Sequence, residues 1–266
     1  MDLQLQGKRA LVTGGSKGIG QAIAVQLARE GVDVVIAARG EAELAAAARE
    51  LAAETGRKVV GLTVDTKSDA SVKALVEGAV AALGGIDILV NAAARAGGQA
   101  PPPKLAQVTD DVFWDDVDVK VMGYLRTARE VAPQMIAAGW GRIINISGLA
   151  ARSTGSIVGS MRNVAVAALT KNLADELGPK GINVTVVHPG LTRTEKTAPL
   201  VAARAASAGV SEAEIEQRMA ANILIGRMVD AAEVADIVAF LASPRSVAIN
   251  GDAIACGGGV RGPIHY

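Results

Sequence analysis

The stretch that decides the fold is Leu11-Val12-Thr13-Gly14-Gly15-Ser16-Lys17-Gly18-Ile19-Gly20. An apolar run precedes these glycines and a helical pattern follows them. In that context Gly14 permits a tight turn, Gly18 lets backbone approach a pyrophosphate, and Gly20 allows the helix to pack closely on the strand. The N–H groups at the start of the helix would face the phosphates. A glycine-rich turn without a ligand is the alternative, but the flanking strand and helix favour a Rossmann-type dinucleotide-binding unit.

Short apolar runs alternate with longer alanine-rich helical patterns along the chain. The predicted strands are residues 9–13, 33–37, 58–63, 86–90, 141–146, 182–187 and 253–255. The predicted helices are residues 18–30, 41–54, 71–83, 113–138, 159–177 and 231–241. The strand runs are continuously apolar, as expected for strands buried on both faces. The pattern predicts an α/β fold with a doubly wound parallel sheet of about seven strands and helices on both faces.

No shift in composition marks a second domain, so residues 1–266 are expected to form one NAD(P)-binding domain. Residues 192–222 are the one long stretch that is predicted to be irregular, with small and polar residues around an amphipathic piece. A connection of this length after a strand is more often a lid over a site than a spacer. We therefore expect it to shape a substrate pocket.

The overall composition narrows the function classes. Basic and acidic residues number 27 each, which argues against a general nucleic-acid or anionic-membrane binder. No run of about 18 apolar residues indicates a membrane span or a signal peptide. The single cysteine, Cys256, suits a reducing compartment. Neither His188 nor His265 has other potential metal ligands near it in the sequence. We expect a cytoplasmic protein that holds no metal and acts on a small molecule.

The pattern Thr13-Gly14-x-x-x-Gly18-Ile19-Gly20 resembles the short-chain dehydrogenase/reductase family, classical type, and the similarity covers essentially the whole chain. Further matches are Asp65, Asn91-Ala92-Ala93, Asn145-Ile146-Ser147, Pro189-Gly190 and the C-terminal segment 226–259. The resemblance implies oxidoreductase activity with a nicotinamide dinucleotide, on a small carbonyl or related substrate. It also implies a homodimer or homotetramer formed through the two long helices predicted at 113–138 and 159–177.

By the same resemblance, the cofactor would contact residues from several loops. The glycine turn would contribute Gly14, Ser16, Lys17, Gly18, Ile19 and Gly20. Asp65 would meet the adenine, with Thr66 in the same loop, and Asn91, Ala92 and Ala93 would pass along the adenine ribose. The nicotinamide carboxamide would be framed by Pro189, Gly190, Leu191, Thr192 and Thr194.

The second predicted strand indicates which dinucleotide is preferred. An NAD site wants a carboxylate at its end, to accept hydrogen bonds from the ribose hydroxyls. Here the strand ends in Arg39, whose planar fork suits a phosphate, and Lys17 adds a second positive charge. Both residues favour the 2′-phosphate of NADP, with NAD as the alternative. Otherwise Arg39 and Lys17 are solvated surface residues.

The catalytic part of the family pattern is missing. Hydride transfer to a carbonyl leaves an alkoxide that needs a proton, so the site needs a positioned acid. The resemblance implies a Tyr, a Lys one helical turn on, a Ser and an Asn. This chain has Gly159 at the Tyr position and Asn163 at the Lys position. The Ser position falls on Gly148, with Ser147 one residue earlier, and Lys120 replaces the Asn. Four roles have changed together, which defines a divergent site.

Two interpretations of Lys120 compete. In one, Lys120 projects into the site as proton donor, Ser147 or Ser160 orients a carbonyl or imine, and Asn163 binds the ribose. Desolvation and the nicotinamide charge would then lower the pKa of Lys120. In the other, which the sequence alone favours, Lys120 makes a structural ion pair or reaches solvent. Tyr124, four residues on, shares the same helix face and is expected to pack in an interface.

The remaining polar candidates have ordinary structural roles available. His188 precedes a Pro-Gly turn at a strand end, and we expect it to bond to backbone. Arg152 and Arg162 either bind an anionic substrate or are helix-surface charges. Cys256 is expected to pack as a small apolar residue.

Three functions remain open. The leading one is an NADP-dependent oxidoreductase with a non-standard catalytic site. The second is an NADP(H)-binding sensor or scaffold that has lost hydride transfer, and the third is a lyase or isomerase without redox chemistry. The fold does not decide among them, because function belongs to the site.

Overall fold

The computed structural model describes residues 1–94 and 102–261, so His265 lies outside the described residues. The strands are β1 Arg9–Thr13, β2 Asp33–Ala38, β3 Val59–Thr63, β4 Ile88–Asn91, β5 Gly141–Ile146, β6 Ile182–Pro189, β7 Thr192–Arg193, β8 Val229–Asp230 and β9 Ala253–Cys256. Seven of them form one parallel sheet in the order β3-β2-β1-β4-β5-β6-β9. The predicted doubly wound parallel sheet is confirmed. The short strands β7 and β8 pair with each other.

Helices cover both faces of the sheet. They are α1 Gly18–Arg29, α2 Glu41–Thr55, α3 Asp69–Leu83, α4 Asp110–Val117, α5 Gly123–Ala138, α6 Ile157–Leu177, α7 Thr197–Ala208, α8 Glu212–Ala220 and α9 Ala231–Ala242. Buried residues of α1, α2 and α9 form one core with the sheet, and those of α3, α5 and α6 form the other. The adjacent strand residues Leu11 and Val12 point into opposite cores. This explains why the strand runs are continuously apolar.

Residues 113–138 were expected to form one helix, and they are helical throughout, with a π-helical turn, Asp118–Met122, between α4 and α5. One prediction about a connecting segment was wrong. Residues 192–222 were expected to be irregular, but they form β7, α7 and α8. The alanines of α7 have high helix propensity, and Val201, Ala205 and Ile215 form a small core between α7 and α8. A lid role for this segment stays a prediction.

The sheet has a topological switch point between β1 and β4, where the strand order reverses direction. Ligands of open α/β sheets bind in the crevice outside the carboxyl ends of the strands at such a point. The Thr13 hydroxyl accepts hydrogen bonds from the backbone N–H groups of Ala92 and Ala93, at 3.2 and 3.3 Å. These bonds hold the loop after β4 against the end of β1.

Self-association stays a prediction. The helix α6 carries the exposed apolar residues Ile157, Met161 and Val164, which are 41%, 53% and 50% exposed. A second copy of the chain packing on this helix would bury them. Sedimentation that shows only a monomer at micromolar concentration would rule this out.

Candidate active site and cofactor cleft

The glycine turn between β1 and α1 has the backbone geometry that a phosphate cradle requires. Gly14 has a φ of 69°, and a Cβ there would lie 2.8 Å from the backbone of Ala92. A Cβ on Gly20 would lie 2.2 Å from the Gly14 carbonyl oxygen. Side chains are therefore excluded at both positions by close packing. A Cβ on Gly18 would meet only the Thr194 methyl group, at 3.8 Å, so this part of the turn is open to a ligand.

A pocket of about 210 Å³ lies on the β2 and β3 side of the glycine turn. Its lining includes the predicted cofactor residues Gly14, Ser16, Lys17, Arg39, Asp65, Thr66, Ala92 and Ala93. It therefore brings together the residues expected around the adenosine. The side chain of Asn91 does not take part, because it is buried and bonded to Asn145 and Thr127.

Glu43 also lines this pocket, and the sequence analysis missed it. Its carboxylate pairs with Lys17, with the closest oxygen 2.9 Å from Nζ. The pair is exposed, so it is easily rearranged. Glu43 could have been predicted as a pocket residue from its position in the first turn of α2, shortly after Arg39. Lys17 and Arg39 both border the pocket, and the ammonium group of Lys17 is ion-paired with Glu43.

Glu195 was the second residue that the sequence analysis missed. Its carboxylate accepts a hydrogen bond of 3.1 Å from the backbone N–H of Gly18, at the start of α1. An anion is therefore already bound at the helix N-terminus, where a pyrophosphate would be expected. The contact joins residues 177 positions apart in the chain, so no local pattern points to it.

A larger cleft of about 600 Å³ continues from the glycine turn along the ends of β5 and β6. Predicted site residues on its wall are Lys17, Gly18, Ile19, Gly20, Ala92, Lys120, Ser147, Asn163, Pro189, Gly190, Leu191, Thr192 and Thr194. Leu149, Leu200 and Met219 make much of the remaining wall apolar. Lys17 and Ala92 border both this cleft and the adenosine-side pocket. Together the two cavities form a groove suited to an elongated ligand.

Lys120 lies on the π-helical turn and lines the cleft. Only 3% of the residue is exposed. Its Nζ donates hydrogen bonds to the Ser147 carbonyl oxygen at 2.8 Å and to Asn163 Oδ1 at 3.1 Å. Burial, with a smaller effect from Arg162, lowers the pKa of Lys120 to about 7. Single π turns of this kind occur frequently at functional sites.

The favoured interpretation of Lys120 was therefore wrong, because its ammonium group bonds two neutral oxygens and does not reach solvent. The expectation for Tyr124 was also wrong. Tyr124 is buried within the chain, and its hydroxyl donates to the Ile146 carbonyl oxygen at 2.9 Å. Burial raises the pKa of Tyr124. The two side chains do share a helix face, and they bond to consecutive carbonyls at the end of β5.

Comparison with known proteins assigns the family. The model described as enoyl-(acyl carrier protein) reductase matches residues 14–261. The chain belongs to the short-chain dehydrogenase/reductase family. Among curated relatives, the 3-oxoacyl-acyl-carrier-protein reductase of Aquifex aeolicus is 34% identical over 263 residues, which are 98% of this chain and 100% of that protein. The enzyme of the same name from Pseudomonas aeruginosa is 35% identical over 97% of this chain and 99% of its own length.

Solved structures agree with this assignment. L-sorbose reductase from Gluconobacter frateurii, in complex with NADPH and L-sorbose, superposes with a TM-score of 0.92 at 31% identity. The match covers 99% of this chain and 100% of that one. A variant of actinorhodin polyketide ketoreductase with NADPH gives a TM-score of 0.85 at 35% identity, over 94% of this chain and 96% of that one.

Three residues that are expected at altered family positions, Lys120, Gly148 and Asn163, lie close together. The Oδ1 of Asn163, at the expected Lys position, accepts a hydrogen bond from Lys120. A Cβ on Gly148 would lie 3.0 Å from Asn163 Nδ2, so the missing Ser side chain leaves room for the amide. The Ser147 hydroxyl donates to the Asn163 carbonyl oxygen at 3.0 Å. Lys120, Ser147 and Asn163 therefore form one bonded cluster.

The Tyr position itself is filled by the start of a helix. Ser156 caps α6, and its hydroxyl accepts a hydrogen bond from the Gly159 backbone N–H at 3.0 Å. A Cβ on Gly159 would lie 2.7 Å from that hydroxyl oxygen. Ser160, the other candidate for orienting a carbonyl, is bonded to the Ser153 carbonyl oxygen instead. Neither Gly159 nor Ser160 is among the residues that line the cleft.

The other polar candidates take structural positions. His188 Nδ1 accepts a long hydrogen bond of 3.4 Å from the Gly148 N–H, as expected, and burial lowers its pKa to about 4. Arg152 donates to the Ala253 carbonyl oxygen. Arg162 lines the cleft and pairs with Asp116. Cys256 packs against the apolar core as expected, and burial raises its pKa to about 11.

Two features are absent from the described residues. No helix there combines the length and apolar character needed to cross a membrane. No group of three or more His, Cys, Asp or Glu side chains there is arranged to hold a metal ion.

Proposed function

We propose that this protein is an NADPH-dependent reductase of ketones and related carbonyls, in which Lys120 replaces the family tyrosine as proton donor. The observation that carries the proposal is the position of Lys120. It lies on the cleft wall, bonded to two neutral oxygens, and burial lowers its pKa to about 7. A general acid works best when its pKa is near the operating pH.

The residues of the groove fit NADP. The open backbone at Gly18 already holds a carboxylate, which shows that its N–H is available to an anion. Arg39 and Lys17 border the pocket where the 2′-phosphate would lie. The family relatives add support, since L-sorbose reductase and actinorhodin ketoreductase were both solved with NADPH. When bound, NADPH supplies the hydride.

Lys120 supplies the proton. A lysine ammonium has three N–H donors, and Ser147 and Asn163 use two of them. The third is left for a carbonyl oxygen in the cleft. As the carbonyl carbon gains a hydride, its oxygen takes this proton and becomes a hydroxyl, and Lys120 becomes a neutral amine. Ser147 and Asn163 orient the ammonium group of Lys120 through these two hydrogen bonds.

The apolar wall of the cleft favours substrates with a hydrocarbon part. Leu149, Leu191, Leu200 and Met219 line it, and two of these come from the segment 192–222 that we expect to act as a lid. Named relatives reduce 3-oxoacyl groups, polyketides and L-sorbose, all of which are ketones. A ketone is therefore the reactive group that we propose.

The test is a panel of substrates, in which turnover of each one is measured as the loss of NADPH absorbance. An acetoacetyl thioester, L-sorbose, a simple cyclic ketone, an imine and an enone cover the candidate groups. Turnover of a ketone that disappears in Lys120→Met and survives in Lys171→Met supports the proposal; Lys171 is an exposed lysine on α6. NADPH binding without turnover of any substrate would favour the scaffold function instead. Turnover unaffected by Lys120→Met would remove Lys120 from the mechanism.

A further inference from the structure

A partly buried ion pair lies beside Lys120. One nitrogen of Arg162, Nη1, donates to both carboxylate oxygens of Asp116, at 2.6 and 2.5 Å. The two side chains are only 14% and 16% exposed. Asp116 is four residues before Lys120, and Arg162 adjoins Asn163, which binds Lys120. The ion pair and the Lys120–Asn163 hydrogen bond are therefore neighbouring cross-links between the same two stretches of helix.

The ion pair supplies the charges that Lys120 faces. Tyr124, one turn on, is neutral, because burial raises its pKa. His188 from β6 is also neutral near pH 7, because its pKa is about 4. Within the described part of the chain, this leaves Asp116 and Arg162. Arg162 lowers the pKa of Lys120, and Asp116 raises it by a smaller amount.

Stability alone does not explain the pair. Arg162 Nε is buried and has no hydrogen-bond partner among the described residues. A buried donor without an acceptor costs free energy, and buried ion pairs are often no better for stability than apolar residues of similar size. An electrostatic effect on the adjacent cleft would explain the pair where its contribution to folding stability does not.

We infer that Asp116 and Arg162 are positioning residues that set the proton affinity of Lys120. Arg162 makes the ammonium group readier to release its proton, and Asp116 limits that effect. The inference rests on the proposed function for its importance to catalysis, but the electrostatic effect itself is measurable without turnover. It requires that neutralising the two partners has opposite effects on the same lysine.

The first readout is the titration of Lys120 itself, followed by its 13Cε signal in labelled protein and assigned by its loss in Lys120→Met. We expect Asp116→Asn to move the midpoint to lower pH, because Arg162 is then unopposed. Arg162→Gln is expected to move it to higher pH. Each shift should be about one pH unit, the effect of a nearby charge. Arg162→Lys keeps the charge and should stay close to wild type.

The second readout is the pH dependence of ketone reduction in the same variants. The protonated lysine is the active form, so activity is lost as pH rises through the midpoint. The profile should move down in Asp116→Asn and up in Arg162→Gln. If Arg162→Gln fails to fold, Asp116→Asn is compared with the double variant Asp116→Asn/Arg162→Gln. These two differ in charge at position 162 alone, and the double variant should titrate at higher pH.

The outcomes separate the two proposals. Midpoints that do not move, or that move in the same direction, overturn the inference even if Lys120→Met is inactive. Opposite shifts in the Lys120 titration support it. If the rate profiles do not follow those shifts, the electrostatic inference stands, and the proton-donor role of Lys120 falls.

Discussion

The two ends of the cleft differ in how closely they keep the family pattern. At the adenosine end, the glycine turn and Arg39 stand where the family pattern expects them, and close packing excludes side chains at Gly14 and Gly20. At the nicotinamide end, the chain has no Tyr-x-x-x-Lys pattern, and the sequence predicts that four family positions are altered. Lys120, Ser147 and Asn163 nevertheless form a bonded cluster there.

The difference follows from what each end must do. Phosphates are held by backbone N–H groups, which must approach closely, so the spacing of the glycines has no substitute. Proton transfer needs only a titratable group within reach and with a suitable pKa. In the proposed mechanism, a lysine on the π-helical turn before α5 meets that need from a different element. The fold thus constrains cofactor binding more tightly than it constrains the choice of acid.

The largest expected effect is at the changed end. Lys120→Met removes the proton while keeping the length of the side chain, and we expect the rate of ketone reduction to fall about 10²- to 10⁴-fold. The KM for NADPH should change little, because Lys120 is not part of the phosphate cradle. Steady-state kinetics measures both, with the rate taken at saturating NADPH and the KM taken from a series of NADPH concentrations. A parallel loss of NADPH affinity in Lys120→Met would show that the nicotinamide end also contributes to cofactor binding.

The next effect is at the retained end. Arg39→Asp replaces a phosphate ligand with a repelling carboxylate, so we expect the preference for NADP over NAD to fall about 10- to 100-fold, as for loss of a charged hydrogen bond. Titration of each cofactor by fluorescence measures it. Arg29→Asp is the control, because Arg29 is an exposed α1 residue paired with Glu54. An unchanged preference in Arg39→Asp would show that Arg39 does not read the 2′-phosphate.

A smaller effect is expected from Glu195, which connects the cradle with the segment 192–222. Its carboxylate must leave the Gly18 N–H before a pyrophosphate binds there. Glu195→Gln should therefore bind NADPH about two- to fivefold more tightly, the size of a charge effect at a helix N-terminus. Glu212→Gln, at the start of α8 in the same segment, is the matched control. Weaker NADPH binding in Glu195→Gln would mean that the carboxylate assists the cofactor.

The last effect is on stability. The pKa of Lys120 is about 7 in the folded protein against 10.5 for an ordinary lysine, so folding is penalised while the lysine must carry its charge. The penalty is full below pH 7 and declines as pH rises above 7. Lys120→Met should therefore raise the Tm by about 2–4 °C per kcal/mol relieved, and the gain should shrink at alkaline pH. A lower Tm would show that the hydrogen bonds of Lys120 outweigh its burial.

Much of the fold is visible in the sequence because the patterns that decide it are local. The continuous apolar runs predict the buried parallel strands, and the glycine turn predicts the cradle. The small residues of the segment 192–222 suggest a loop, but the alanine run in α7 favours the helix that the structure shows. The π turn at Asp118–Met122 has no pattern of this kind.

The catalytic end was less predictable because its contacts are long-range. Lys120 meets Ser147 and Asn163, which lie 27 and 43 residues away, so its burial and hydrogen bonds cannot be derived from its neighbours in the sequence. Asp116 was within reach of prediction, since it lies four residues before Lys120 on one helix face. The chain has no Tyr-x-x-x-Lys pattern, so the sequence predicts a divergent site, but it does not indicate which residue would replace the tyrosine.

The most direct test of the central claim is the pH dependence of a single turnover of ketone reduction with NADPH already bound. If Lys120 is the acid, the wild-type rate is constant at low pH and falls as pH rises through about 7. The Lys120→Met rate is low and does not follow this titration. A Lys120→Met protein that keeps the wild-type rate and the wild-type pH profile would contradict the claim.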